Sequence, residues 1–578
     1  MVVRYYSLIG LLQGCLLLLL HEAIVEKWAW MALPEFAFPA YAVVLLLPII
    51  AMMAMRFSSQ RQMMYLLVFM ALVFVLLGYY SGSLAFEVIT KDSFGAIFVF
   101  ALSMLLLVYI GLPFVQRYLQ HGHMREAYRD LYELGWMNTL ILLLAGVFTG
   151  LVWIVLVLWG ALFNLIEIRY FGELFSDHYF VYPATGLMLA YGISLGLRKI
   201  NLDAVRKTDF FFRILTVLIT FVSVLFLMAL VVSGLEPLWK TRYATTLLLW
   251  LQIFTLLFVN ALFQYGYQHR HEVSWVRWVR WSVSLSLLVM PVFSFICVYA
   301  VALRVGQYGW TEDRIWAAVI VLVMTMYAVG YAIAAVRGLL QKGHWLAWMA
   351  PTNMVVDLSI LMIIILSNSP FFSPTHIAVQ SQVSRLMDEA VSADKFDYNY
   401  LRFDAGRVGL AELKALSVLE GHVESENIQL LATKALRKKT RWGNLGAAEG
   451  MVLEDTKKSF DAYPENHVLD DALLNFLYEK RTEYPYSRCF QDSNCALVYA
   501  DLNQDEREEV VLFFGYGNHY LLQKTKGKWS KIGSLRGGSG CCGAKNTLQK
   551  LKEHRFNVED NPWQQLSIGQ TTLQVQID

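Results

Sequence analysis

The run Asp501-Leu502-Asn503-Gln504-Asp505-Glu506-Arg507-Glu508-Glu509 places oxygen-bearing side chains at Asp501, Asn503, Asp505 and Glu509. Oxygens at positions 1, 3, 5 and 9 of a tight loop surround calcium, and the position-7 carbonyl, here that of Arg507, adds a ligand. Calcium is the cofactor this spacing implies. Glu506 stands where such loops carry a turn-forming Gly, and Leu512 where they carry a closing Glu, so an acidic turn without metal is the alternative.

Cysteine supplies the next candidates. Cys489 and Cys495 are close enough in sequence to close a small disulfide loop, and no C-x-x-C pair or nearby His argues for zinc instead. Cys541 and Cys542 are adjacent and cannot easily bond each other, so pairing elsewhere or no pairing is expected. Cys15 and Cys297 lie in apolar runs and read as small apolar residues.

Among intramembrane residues, Asp357 is the one carboxylate set well inside an apolar run. Ionisable groups there are costly and face a bundle interior or a functional cavity. A position near the start of its helix, marked by Pro351, is the alternative. Asn138, Asn164, Gln252 and Asn260 read as interhelical hydrogen-bond partners. His21, Glu22 and Glu26 follow the first apolar run, and Glu167, Glu173, Asp177 and His178 form a second group. Lipid-linked transferases use carboxylates on such loops. His121 with His123 and His269 with His271 are solvated loop residues or metal ligands. Trp275, Trp278 and Trp281 alternate with Arg277 and Arg280 as an interfacial helix would.

The elements that must carry these residues are apolar. The chain of 578 residues is 57% hydrophobic and 16% charged, against about 25% charged for soluble domains. Eleven candidate spans lie near 5–24, 38–56, 62–80, 94–116, 137–163, 179–197, 211–233, 243–266, 281–303, 313–336 and 347–367. Each approaches the roughly 20 residues needed to cross a bilayer. The 137–163 run contains a small-xxx-small match at Gly146 and Gly150. Leu12-Gln13-Gly14-Cys15 looks like a lipoprotein cleavage box, but the apolar run continues past it, so an uncleaved first span is expected. The net charge of +2, with no basic stripe, excludes a nucleic-acid surface.

Sixteen Lys and Arg, among them Arg117, Arg125, Arg129, Arg198 and Lys199, fall in loops on one side of the bundle, against seven on the other. The positive-inside rule then puts the N-terminus in the cytoplasm. Eleven crossings deliver the tail to the periplasm, where cysteines can oxidise. The expected organisation is a transmembrane domain over residues 1–370 and a periplasmic α+β domain over residues 371–578. In the tail, 376–393 and 425–439 read as helices, the second capped by Ser425. Residues 496–499, 510–514, 520–524, 529–532 and 571–577 read as strands, with Lys526-Gly527-Lys528 as a hairpin turn.

Three stretches together resemble a family of bacterial polytopic inner-membrane proteins known as domain of unknown function 4153. They are Tyr308-Gly309-Trp310-Thr311-Glu312-Asp313-Arg314, Tyr398-Asn399-Tyr400-Leu401-Arg402-Phe403-Asp404-Ala405-Gly406-Arg407, and the Cys489–Cys495 pair followed by the acidic loop. The resemblance implies a multi-span bundle in the envelope and no activity. The expectation is an α-helical polytopic bundle with a soluble α+β domain, in a non-enzymatic sensing or scaffolding role beside an envelope protein partner. A small-solute transporter or channel would require Asp357 and the span Asn and Gln residues to meet at one cavity. A lipid-linked transferase would require Glu22 to meet the 167–178 loop over a groove.

Overall fold

The computed structural model describes the chain except residues 1, 27, 29, 87–93, 125–127, 167, 201–208, 235–243, 264–276, 341–345, 439–440, 442–455, 457–458, 464–468, 482–485, 487–488, 491–494, 504, 506, 515–518, 526, 538–555, 560–564, 569–570 and 578. Among the described residues, eleven helices are long and apolar enough to cross a membrane. They are α1 (Val2–Val25), α2 (Pro34–Ala54), α3 (Gln60–Leu84), α4 (Phe94–His121), α5 (Tyr128–Asn164), α7 (His178–Lys199), α8 (Asp209–Ser233), α9 (Ala244–Phe263), α10 (Arg277–Tyr308), α11 (Glu312–Leu340) and α12 (Met349–Ser367). A short helix, α6 (Tyr170–Ser176), separates α5 from α7. The chain is a multi-span helical membrane protein with a small mixed-sheet region at its C-terminal end.

Helix contact in lipid depends on close packing of small residues, because apolar side chains gain little by leaving hydrocarbon. Three glycine seams do this here. Gly10 and Gly14 of α1 face α7, where a methyl on Gly10 would stand 2.3 Å from the Gly186 carbonyl oxygen. Gly78 and Gly82 of α3 lie against Pro39 and Pro34 of α2, and Gly192 and Gly196 of α7 against Ala145 and Ile141 of α5. The small-xxx-small match at Gly146 and Gly150 forms no seam among the described residues: added methyls there would meet nothing within 4 Å. A small-xxx-small pattern marks a groove only where a neighbouring backbone fills it.

The chain divides into two compact units, residues Met1–Phe396 with Asp404–Glu412, and residues Asp397–Phe403 with Leu413–Asp578. The first unit thus continues beyond α12 through α13 (Pro374–Met387), whose N-cap Ser373 accepts from the His376 amide. The described helix ends at Met387, short of the 393 expected, because Glu389 takes a positive φ of 57° and turns the chain.

The second unit contains α14 (Tyr398–Phe403), α16 (Ser425–Arg437) and α17 (Asp471–Glu479), while α15 (Gly406–Leu416) begins in the first unit and ends in the second. Ser425 does not cap α16 as expected; Glu424 holds the N-cap position and makes no side-chain capping bond. One eight-stranded sheet follows the order β1-β2-β3-β4-β5-β8-β7-β6. Its strands are β1 (Phe460–Tyr463), β2 (Cys495–Ala500), β3 (Glu509–Phe514), β4 (His519–Thr525), β5 (Lys528–Gly537), β6 (Phe556–Glu559), β7 (Gln565–Ile568) and β8 (Thr571–Ile577). All neighbouring pairs are antiparallel except β1 with β2. The expected hairpin between β4 and β5 is present, with Thr525 opposite Lys528 and Gly527 at φ 80°.

Strands β2 and β3 are buried at every position. One face packs Leu497, Val510 and Leu512 with Leu473 and Leu477 of α17, and the other packs Val498, Val511 and Phe513. Two covered faces produce continuous apolar strands, which explains Cys495-Ala496-Leu497-Val498. Asp470 caps α17 and also accepts from Lys524 at 2.6 Å and Trp529 at 2.8 Å. The Lys524 and Trp529 bonds hold its carboxyl below the usual range.

Candidate functional site

The intramembrane polar residues meet at α5, α9, α11 and α12. Each of three helices contributes two residues one turn apart: Tyr128 and Tyr132 on α5, Tyr327 and Tyr331 on α11, Asn353 and Asp357 on α12. A four-residue spacing puts both members of a pair on one helix face. Asn260 comes from α9.

Asn353 is the hub. Its amide nitrogen donates to the Tyr128 hydroxyl at 2.7 Å and to Asn260 Oδ1 at 2.8 Å, and its Oδ1 accepts from the Tyr331 hydroxyl. Asn260 donates in turn to the Tyr331 oxygen at 2.7 Å, and Tyr132 donates to the Asn260 carbonyl at 3.1 Å. Asn353 and Tyr331 are buried. Every side-chain polar atom of Asn353 is thereby paired, as its desolvation requires.

One turn along, Asp357 differs. Tyr327 donates to its Oδ1 at 3.3 Å, and among the described residues no Lys, Arg or His forms an ion pair with it. It borders a cavity of about 310 Å³ lined by the rings of Tyr109, Phe114, Tyr128, Tyr132, Trp136 and Tyr327, and by Asn260 and Asn353. Asp357 lies eight residues past the start of α12, about 12 Å at 1.5 Å per residue. Pro351 falls in the first turn of that helix. The carboxylate is therefore well inside the helix, with aromatic faces around the space beside it.

The other amides serve elsewhere. Asn138 and Gln116 donate to one another at 2.8 and 3.2 Å, and Gln116 also donates to the Met53 carbonyl at 3.0 Å. Gln252 accepts from Ser294 at 2.6 Å. Both read as helix-to-helix ties. Asn164 lines a separate cavity of about 670 Å³ with Arg169, Gly172 and Glu173, between α5 and α6. His121 stands 3.6 Å from Asp130, and its ring centroid is 6.4 Å from that of His123. His269, His271 and Trp275 lie outside the described residues, as do Glu167, Cys541 and Cys542.

In the sheet unit, Cys489 and Cys495 stand at disulfide distance, 2.10 Å between sulfurs and 5.2 Å between Cα atoms. The acidic loop folds on itself. The Asp505 amide donates to Asn503 Oδ1 at 3.0 Å and to Asp501 Oδ1 at 3.2 Å, and the Arg507 amide donates to Asp505 Oδ1 at 2.9 Å. Glu509 is buried in β3 and accepts from the Leu502 amide at 3.0 Å and from Gln523 at 3.1 Å. Burial, with Asp505 and Asp501 nearby, pushes its carboxyl up. Asp501, Asn503 and Asp505 thus share one turn, while Glu509 is engaged by its own loop amide and a neighbouring strand.

The profile of a family described as Domain of unknown function (DUF4153) matches residues 28–416. The chain belongs to that family. The match takes in α2 to α12 and the first helices beyond, and ends before the sheet; the Cys489–Cys495 pair and the acidic loop lie outside it. No curated protein and no solved structure matches the chain.

The two stretches inside the DUF4153 match have structural work in this fold. Gly309, at φ 70°, turns the chain between α10 and α11, and α13 closes over that turn. The Trp310 amide donates to Ser381 at 3.0 Å, and Gln382 donates to the Trp310 carbonyl at 2.7 Å. Gly406, at φ 55°, lies so near Leu84 that a methyl would stand 2.1 Å from its carbonyl oxygen, and the adjacent Arg407 pairs with Glu35 of α2 at 2.7 Å.

Proposed function

We propose that this is a bacterial inner-membrane protein without catalytic activity, whose bundle binds a small organic ammonium ion at Asp357. The N-terminus lies in the cytoplasm and the chain beyond α12, with its sheet, in the periplasm, as the loop charges and the cysteines imply. The observation carrying the reading is the Asp357 cavity: one carboxylate without an ion-pair partner among the described residues, ringed by aromatic side chains. Aromatic faces attract ammonium ions through the ring quadrupole, most strongly where water is excluded. A carboxylate supplies the neutralising charge. At about 310 Å³ the space sits at the small end of ligand pockets.

Binding such an ion suits an envelope sensor; moving it across the bilayer would make the chain a transporter. The meeting of Asp357 with Asn260 at one cavity supports a solute site over a plain scaffold. Thermal unfolding of the detergent-solubilised chain with tetramethylammonium, choline and neutral isosteres tests the reading. Stabilisation by the cations alone supports it, and equal response to the neutral isosteres contradicts it. Uptake of labelled choline into proteoliposomes separates transport from sensing. Calcium at Asp501, Asn503 and Asp505 is a secondary proposal for the tail, supported by their approach to one another and tested calorimetrically with Asp505→Ala.

A further inference from the structure

We propose that His21, Glu22 and His178 form a binding site for a zinc-class divalent metal ion where α1 ends and α7 begins. One ligand atom from each of the three lies within 4.8 Å of the others. The imidazole centroids of His21 and His178 are 5.1 Å apart, and Tyr182, one turn along α7 from His178, places its ring 5.2 Å from His21. His21 and Glu22 are half-buried and His178 is exposed, so an ion can enter from the helix ends.

Backbone packing sets this approach. Gly10, Gly14 and Gly186 bring α1 and α7 so close that a single added methyl would overlap carbonyl oxygen. His178 is the first residue of α7, and the preceding Asp177 caps that helix by accepting from the Tyr179 amide at 2.9 Å. Both imidazoles are therefore carried on elements whose separation is fixed, and binding an ion requires the three side chains to close on it from within 4.8 Å of one another.

The donor set selects the metal. Two imidazoles and one carboxylate suit zinc and its neighbours in the first transition row, while calcium and magnesium require oxygen shells. Two histidines and a glutamate leave a fourth tetrahedral position for water. The site has no contiguous sequence signature. His21-Glu22 begins like the helical H-E-x-x-H pattern, but Val25 stands where the second His would fall, and the second imidazole comes from α7 instead. The site lies at the other end of its helices from the Arg- and Lys-rich loops and does not depend on the ammonium reading.

The test uses the full chain in detergent, with any histidine tag removed, stripped by chelator and titrated with zinc in a calorimeter. The expected result is one zinc per chain, weakened at least roughly tenfold in His21→Ala and in His178→Ala, the lower end of what even an outer-shell change costs. The paired His121→Ala, His123→Ala variant should bind as the wild type does, and magnesium should not compete. Cobalt(II) loaded in place of zinc should show the d–d absorption of a low-coordinate imidazole site, absent in His21→Gln, whose side chain is a milder replacement should the alanine variants misfold. No zinc bound to the wild type, or equal binding in the His21 and His178 variants, would overturn the proposal.

Discussion

Tyr327 donates its hydroxyl to Asp357 Oδ1 at 3.3 Å across the contact between α11 and α12, and Asp357 has no cationic partner among the described residues. One neutral donor leaves most of the charge of a carboxylate uncompensated in a low-dielectric setting. That imbalance distinguishes Asp357 from the fully paired Asn353 one turn away.

Asn353→Ala should loosen the bundle. The substitution removes bonds to Tyr128, Asn260 and Tyr331 and leaves buried Tyr331 short of a partner. Interhelical bonds in lipid are individually modest, so a loss of about 1–3 kcal/mol is expected. Reversible unfolding in mixed micelles measures it. Gln252→Ala, which loses one strong side-chain bond to Ser294, should cost less.

Gly186→Ala should separate α1 from α7. Its new methyl would meet the Gly10 carbonyl oxygen at 2.2 Å, a backbone atom that cannot swing aside. Overpacking of this kind costs about 1–3 kcal/mol. Gly146→Ala, on open helix surface, should be neutral or slightly stabilising in the same unfolding assay, since alanine is the better helix former.

Acidification should weaken the sheet through His519. This buried residue accepts from the Phe514 amide at 3.2 Å and stacks on Phe513 at 3.8 Å, and burial pushes its imidazole down to about 4. The unfolded chain binds the proton near pH 6.5 and the folded chain only near 4, so stability is full above that window and falls as pH drops through it. The loss by pH 4 is about 3 kcal/mol. Glu509, pushed up by burial, works in the opposite sense and is relieved as it protonates. Hydrogen exchange of the β2–β4 amides in the full chain, corrected for intrinsic rates, should show protection falling from pH 6.5 downward. His519→Leu should flatten that dependence.

Much of this architecture was legible because lipid imposes a simple code. Long apolar runs specify spans, and all eleven expected spans correspond to helices. The sheet was partly legible: the hairpin at Gly527 and the strands around it follow from turn chemistry and β-branched runs. β1, β6 and β7 were missed because strands of four residues carry too short a pattern. Asp357 and Asn260 could be picked out as single polar residues in spans, but their meeting depends on helix rotation, which hydrophobicity alone does not fix. The paired spacing of Tyr128 with Tyr132, Tyr327 with Tyr331 and Asn353 with Asp357 was the available signal. For the His21–Glu22–His178 group, a meeting of Glu22 with the 167–178 loop was named as the requirement of a transferase. The closeness of His21 to His178 was not legible, since it comes from the Gly10–Gly186 contact.

The most direct measurement is calorimetric titration of tetramethylammonium into the full chain in nanodiscs, beside Asp357→Asn and Tyr327→Phe. The account predicts saturable binding to the wild type, weakened at least about tenfold by loss of the charge in Asp357→Asn. Tyr327→Phe removes the phenolic hydroxyl and its hydrogen bond to Asp357 but keeps the ring, so a several-fold loss is expected, on the order of 1 kcal/mol. Equal affinity in wild type and Asp357→Asn, or no binding to either, would contradict it.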